Sequence, residues 1–405
     1  MTGVRIRDFL TILAHVRRHF LNEGNDDMKA LAKYAGIALS VGIVGCGGSD
    51  GGGGDAIDSS LLAQYRAAIP SEAQIMASSP KASSGAKIGD PALYPSGSAE
   101  IVLGINGSIE YILTGLELIV SIEPTVYNSD TKEFFWGPYK NENGFGTIAA
   151  YIKDAGEGQD FRYHYAILRG KDNDVAGLVP ILWGGANPDP DTKDHGSGIT
   201  LIDFEANAAF EQANNPNGAN MPMDRGRFVA VYGKDATDKG DLTLVFAALR
   251  GFVSKDEPGA MPADLDYLYG RVDDGANKVD FVDWKSTFDV HEDPAMAKPE
   301  DVGVRLAFVN EGKGRAEARA SGGDLASGQV ADAIECWDDA LAQSYLSFKT
   351  STNGTEDSAA SEGDLASCGL FQASLSELGV PALADVPADF KAALDDLAKN
   401  GAPKE

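Results

Sequence analysis

Basic residues are scarce in this chain: 34 Lys and Arg stand against 61 Asp and Glu, for a formal charge of −27. A polyanion is repelled by nucleic acid and by anionic lipid surfaces, so no nucleic-acid partner is expected. Histidine is scarcer, with five in 405 residues. Beyond residue 45 only His164, His195 and His291 remain, and none lies in an H-E-x-x-H pattern. No strand-borne G-x-S-x-G elbow or G-x-G-x-x-G occurs, and no P-loop, which removes the common signatures of serine hydrolases and nucleotide binders, as the missing H-E-x-x-H does that of zinc peptidases. A Ser/His/Asp triad assembled in space leaves no such trace. The three cysteines, Cys46, Cys336 and Cys368, form no C-x-x-C or Cys/His cluster, so nothing points to zinc.

What is present is a chain able to bury a core: 43% of residues are hydrophobic, and 47 glycines promise many turns. The first informative stretch is SVGIVGCGGSDGGGGD, residues 40–55. Tyr34–Val44 is an apolar run about as long as a secretory h-region, well short of the ~20 residues that span a bilayer. Met28, Lys29 and Lys33 supply a positive n-region before it, and Ile43-Val44-Gly45-Cys46 closes it. Residues 28–46 resemble the signal peptide of bacterial lipoproteins, whose lipobox ends in a cysteine that is acylated and becomes the mature N-terminus. The resemblance implies cleavage after residue 45, lipid on Cys46 and a membrane partner reached through that anchor. Gly47 at the following position implies the outer membrane, since an aspartate there retains many lipoproteins in the inner one.

Residues 46–56 then read as a Gly-rich tether, flexible enough to hold a folded body off the membrane. A doubly acylated cysteine meets the two-chain requirement for stable anchoring. Residues 1–27, with Glu23, Asp26 and Asp27 ahead of the basic residues, do not suit a leader, and Met28 is the expected start. If Met1 is used, MTGVRIRDFLTILAHVRRHFL is a basic amphipathic helix. Removing six basic and four acidic residues before Cys46 leaves 28 against 57, or −29. An exported protein meets an oxidising compartment, so Cys336 and Cys368 are expected to pair as a disulfide, stabilising the fold by roughly 3–4 kcal/mol.

The body, residues 57–405, reads as one domain: a helical part over 57–125, a sheet over 130–350 and a helix over 384–399. Residues 57–69 make a short helix stopped by Pro70, and 78–97 read as a loop. From Gly97 to Pro124, Ile101, Ile105, Ile109, Ile112, Leu116 and Ile119 recur at helical spacing. Gly104, Gly107 and Gly115 weaken that helix, so something is expected to approach it closely.

After residue 132 the period becomes two, as in Phe161, Tyr163, Tyr165 and Ile167, in Leu242, Leu244, Phe246 and Ala248, and in Val302, Val304, Leu306 and Phe308. Short polar turns and no intervening helix predict an antiparallel meander. In EFFWGPY, Phe134 and Trp136 are expected on the core and Gly137-Pro138 to end the strand. GGDLASG (322–328) and EGDLASC (362–368) read as similar turns at neighbouring hairpins. The expected class is α+β: a large, curved, half-barrel-like antiparallel sheet on one long apolar helix, with a short C-terminal helix carrying Phe390, Leu394 and Leu397. Its outline is similar to the half-barrel-and-helix carriers and receptors of bacterial lipoprotein sorting.

Chemistry is thinly signalled. Asp189, Asp191 and Asp194 crowd one loop, and oxygen-seeking Ca²⁺ is the cation they suit, but Lys193 and the missing twelfth-position Glu break EF-hand spacing. The loop reads as solvated, as does DVHEDP at 289–294, and no cofactor beyond the lipid is expected. The expectation is a lipid-anchored envelope lipoprotein with a non-catalytic binding or structural role, holding an apolar ligand between helix and sheet. The alternative is an envelope hydrolase that uses a carboxylate pair on glycans.

Overall fold

The computed structural model describes residues 57–80, 88–142, 144–237, 240–290, 296–310 and 312–401. The signal-like segment, Cys46, the Gly-rich tether and His291 lie outside the described residues.

Fifteen antiparallel strands form one open, curved sheet in which spatial order equals chain order. They are β1 (Val126–Asn128), β2 (Glu133–Lys140), β3 (Thr147–Asp154), β4 (Tyr163–Gly170), β5 (Val179–Pro188), β6 (Gly196–Asp203), β7 (Arg225–Thr237) and β8 (Gly240–Val253). The series continues with β9 (Ala263–Asp273), β10 (Lys278–Phe288), β11 (Glu300–Val309), β12 (Gly314–Ser321), β13 (Gln329–Trp337), β14 (Gln343–Thr352) and β15 (Thr355–Gly363). Short turns enforce this order, because consecutive antiparallel strands need only a few linking residues. Asn353 and Gly354, at φ 47° and 83°, make the tight reversal between β14 and β15, where left-handed backbone suits Asn and Gly. The helices are α1 (Ser59–Arg66), α2 (Glu72–Ile75), α3 (Leu93–Ser121), α4 (Phe204–Asn214) and α5 (Ala388–Asn400). The architecture is α+β, as expected. One helix does interrupt the meander: α4 stands between β6 and β7 and is tied to β4 by the buried pair Arg169 Nη2–Glu211 Oε1 at 2.6 Å.

Alternation of side chains gives the sheet two apolar faces. Phe228, Ala230 and Tyr232 of β7 join the core formed with α1, α2 and α3, while Val229 and Val231 join a second core with the C-terminal segment. Val302, Val304, Leu306 and Phe308 all face α3. Leu242, Leu244, Phe246 and Ala248 all face the C-terminal segment. Phe161 differs from expectation. It precedes β4 and joins the second core, while Tyr163, Tyr165 and Ile167 join the first.

The long helix begins at Leu93, inside the stretch expected to be a loop, and is held at both ends. Glu335 of β13 is fully buried and accepts from Leu93 N and Tyr94 N, both at 2.8 Å, placing negative charge on the positive end of the helix dipole. Arg66 donates to Ile119 O (3.0 Å) and Ile122 O (2.6 Å) at the other end. Midway, Asn106 exchanges two hydrogen bonds with the backbone of Ala77. Val102, Ile105, Ile109, Ile112, Leu116 and Ile119 are buried against the sheet.

Glycine is used beneath rings as well as in turns. Gly184 faces Tyr165, Gly198 faces Tyr232 and Gly270 faces Phe281 in the cross-strand register. A Cβ on these glycines would meet a ring carbon at 2.3, 2.5 and 2.0 Å, so the missing side chain lets each ring lie on the neighbouring strand. Phe134 and Trp136 are fully buried as expected, but β2 continues through Gly137-Pro138 with a register shift instead of ending there.

On the second face, residues 364–401 run back over the sheet. Cys336 of β13 and Cys368 stand in disulfide geometry, with Cα atoms 5.4 Å apart. Arginines reach up from the sheet: Arg315 to Phe371 O, Arg305 to Val380 O, Arg227 to Lys399 O and Arg250 to Asp395. The two GDLAS copies are not equivalent. The first turns β12 into β13; the second leaves β15 and opens a 3-10 segment, Leu365–Phe371, over the sheet.

Candidate functional sites

The acidic loop between β5 and β6 is organised by its own backbone. Asp189 Oδ1 accepts from Asp191 N (2.8 Å) and Thr192 N (3.0 Å), an Asx-type turn. Asp194 sits at φ 61° and Asp189 N donates to His195 O. Asp189, Asp191 and Asp194 therefore shape a turn, and no group of three His, Cys, Asp or Glu among the described residues converges as metal ligands. His195 is buried beside them, with Nε2 3.3 Å from Asp241 Oδ1. His164 is also buried, edge-on to Trp183, and burial beside Lys153 pushes its pKa down to about 4. It is a neutral core histidine at physiological pH.

A polar cleft of about 550 Å³ opens between α5 and the ends of β8–β12, lined by Arg250, Asp266, Lys285, Asp301, Lys391 and Asp395 among others. Its charges are largely spent on one another. Arg250 bridges Asp266 (2.5 Å) and Asp395, and Lys391 also pairs with Asp266. Burial would raise Asp266, but hydrogen bonds from Lys391 and Arg250 overcome it and hold the carboxyl below its ordinary range. The carboxyl that burial pushes up to about 6, Asp283, lies elsewhere, under the C-terminal segment, accepting from Leu383 N (2.7 Å) beside Arg305. An acid–base pair with one raised and one lowered carboxyl, as a glycosidase needs, is thus not assembled from these two residues.

A smaller cleft, about 360 Å³, lies beside α2 and is lined by Ser78, Thr243, Tyr269 and Arg271 with residues of α2. Behind it Asp280, fully buried, accepts from Tyr269 Oη (2.7 Å) and Arg271 Nε (2.8 Å). These three alternate with apolar neighbours on adjacent strands, so only the register of β9 on β10 brings them together.

One apolar row runs out of the core toward the β15 edge, where it is uncovered: Val304 (3% exposed) and Ala333 (6%) are buried, and Phe348 and Ala360 are exposed. On the α3-bearing face, Val304, Ala318, Ala333, Phe348 and Ala360 lie side by side across β11–β15. Ala318 is partly buried, whereas Phe348 is 49% exposed. Ala333, at the centre of the row, is two residues from Glu335 on the same face of β13, hence beside the first turn of α3, where Leu93 is 51% exposed. Sequence reading did not find it, because alanines on three strands become one surface only when paired. Compared with protein-family models, curated proteins and solved structures, the chain matches none.

Proposed function

We propose that this chain is a lipid-anchored envelope lipoprotein, held through Cys46 at the outer membrane, whose body has a non-catalytic binding or structural role. The observation that carries the binding role is the apolar row beside the start of α3, which leaves the core at Val304 and Ala333 and is exposed at Phe348 and Ala360. Between Val102 and Ile119 the helix buries its apolar stripe against the sheet, so an apolar ligand sits beside the helix, on small side chains that leave room for hydrocarbon, with Phe348 and Leu93 at its margins. The disulfide geometry of Cys336 and Cys368 suits the oxidising compartment that the signal-like segment implies.

The test is extraction of the full chain from its own membranes, followed by mass spectrometry of co-purifying small molecules. An apolar compound bound stoichiometrically and lost in Phe348→Asp supports the reading. A clean protein, or a compound retained equally by the variant, overturns the binding role. Turnover of glycan oligomers, abolished by substitution of a cleft carboxylate, would replace it with the hydrolase alternative.

A further inference from the structure

The long helix carries a second face that nothing in the described molecule uses. At spacings of three and four residues, Glu100, Leu103, Gly107, Glu110, Thr114, Glu117 and Ser121 all point to solvent, the repeat with which one helix presents a stripe to another. Leu103 is 60% exposed. Gly97 and Gly104 flank the stripe, and a Cβ built on Gly97, Gly104 or Gly107 meets no atom within 4 Å. The sequence predicts a close neighbour at Gly104, Gly107 and Gly115, and among the described residues only Gly115 has one, with Ile167 and Leu182 both at 3.7 Å. Glycine in an exposed helix interior weakens the helix, and small residues there open a path for another backbone.

Charge says what fits. Leu93–Ser121 contains no Lys or Arg, and among the described residues none of Glu100, Glu110 and Glu117 pairs with a cation. A second copy would bring the same three carboxylates against these, and a lipid surface would have to bury them. We propose that this face of α3 docks an amphipathic helix of another protein, whose contact stripe sets Lys or Arg at seven-residue spacing among small and apolar residues. Glu110 and Glu117 are about 10.5 Å apart along the axis, the separation of two such cations one heptad apart. Small residues at Gly104 and Gly107 let that helix approach closely, and Leu103 supplies the apolar contact.

The test uses the full chain in its own cells, with a photo-crosslinking amino acid at Leu103 or Thr114 and, as a control, at the exposed Met261. The expected product joins Leu103 and Thr114, but not Met261, to a Lys- or Arg-bearing helical peptide of one other protein. Its yield falls at least tenfold in Glu110→Lys/Glu117→Lys and in Gly107→Leu, whose thermal midpoint is not lowered because the new side chain meets open space. Crosslinks to lipid, to α3 of another copy or to an acidic segment overturn the proposal. So does the absence of any product, or a product indifferent to charge reversal.

Discussion

Glu335→Ala removes one carboxylate and disconnects the sheet from the start of a 29-residue helix. The carboxylate is fully buried and holds Leu93 N and Tyr94 N at 2.8 Å each, with Gln343 Nε2 at 2.5 Å. Leaving a buried donor unsatisfied costs about 1–3 kcal/mol, and three donors lose their acceptor here. Against this, a buried anion no longer needs desolvating, which offsets part of the loss. The balance is a destabilisation of about 4 kcal/mol, large beside a typical total of about 5–15. Glu335→Gln keeps one acceptor but turns an NH₂ toward a backbone N–H, for a loss of about 2 kcal/mol. Urea unfolding reads both values from the midpoint. Amide exchange supplies the local readout, since Leu93 and Tyr94 should lose protection before the centre of α3 does. A shift below about 0.5 kcal/mol for the alanine variant, with unchanged exchange at both amides, would refute the assignment of this carboxylate as the helix's N-terminal anchor.

Five further outcomes follow. Gly270→Ala drives a methyl into the Phe281 ring, 2.0 Å away, and should cost about 1–3 kcal/mol in urea midpoint, recovered in part by Phe281→Leu. Gly104→Ala and Gly107→Ala meet open space and should each raise stability by about 1 kcal/mol. Acid stability turns on His164, whose folded pKa of about 4 lies below its ordinary ~6.5. Its contribution is complete above pH 6.5 and lost as pH falls toward 4, about 2 kcal/mol of it by pH 5, so unfolding at pH 7 and pH 5 should show a smaller gap in His164→Gln. Asp283, raised to about 6 by burial, acts in the opposite sense: its contribution is complete below about pH 3.8 and lost as pH rises to 6. Asp283→Asn should remove that loss. Cys336→Ala/Cys368→Ala should cost about 3–4 kcal/mol and raise exchange in residues 364–401 ahead of the sheet.

The sheet was legible because its faces are written locally: Val302 to Phe308 alternates for one face, and Leu242 to Ala248 for the other. The helix stripe from Val102 to Ile119 was legible for the same reason. What eluded the sequence depends on partners far along the chain. Glu335 lies more than 240 residues after the amides it holds, and nothing local to Gly270 shows that Phe281 faces it. The C-terminal segment looked like an ending, and its Leu383 and Phe390 gain meaning only from Asp283 and Phe246 beneath them. Asp189, Asp191 and Asp194 drew attention as a cation candidate, in a loop that read as solvated, because charge is visible in sequence, whereas the backbone donors that occupy Asp189 are not. The exposed end of the apolar row, at Phe348 and Ala360, and the outward stripe of α3 are surfaces, and a surface is defined by what fails to cover it.

The claim that places this chain in an envelope is read most directly from the N-terminal peptide of the protein purified from its own membranes. Mass and fragmentation should show a chain beginning at Cys46 with acyl groups on it. A peptide that begins at Met1 or Met28, or a Cys46 without acyl mass, would contradict the account.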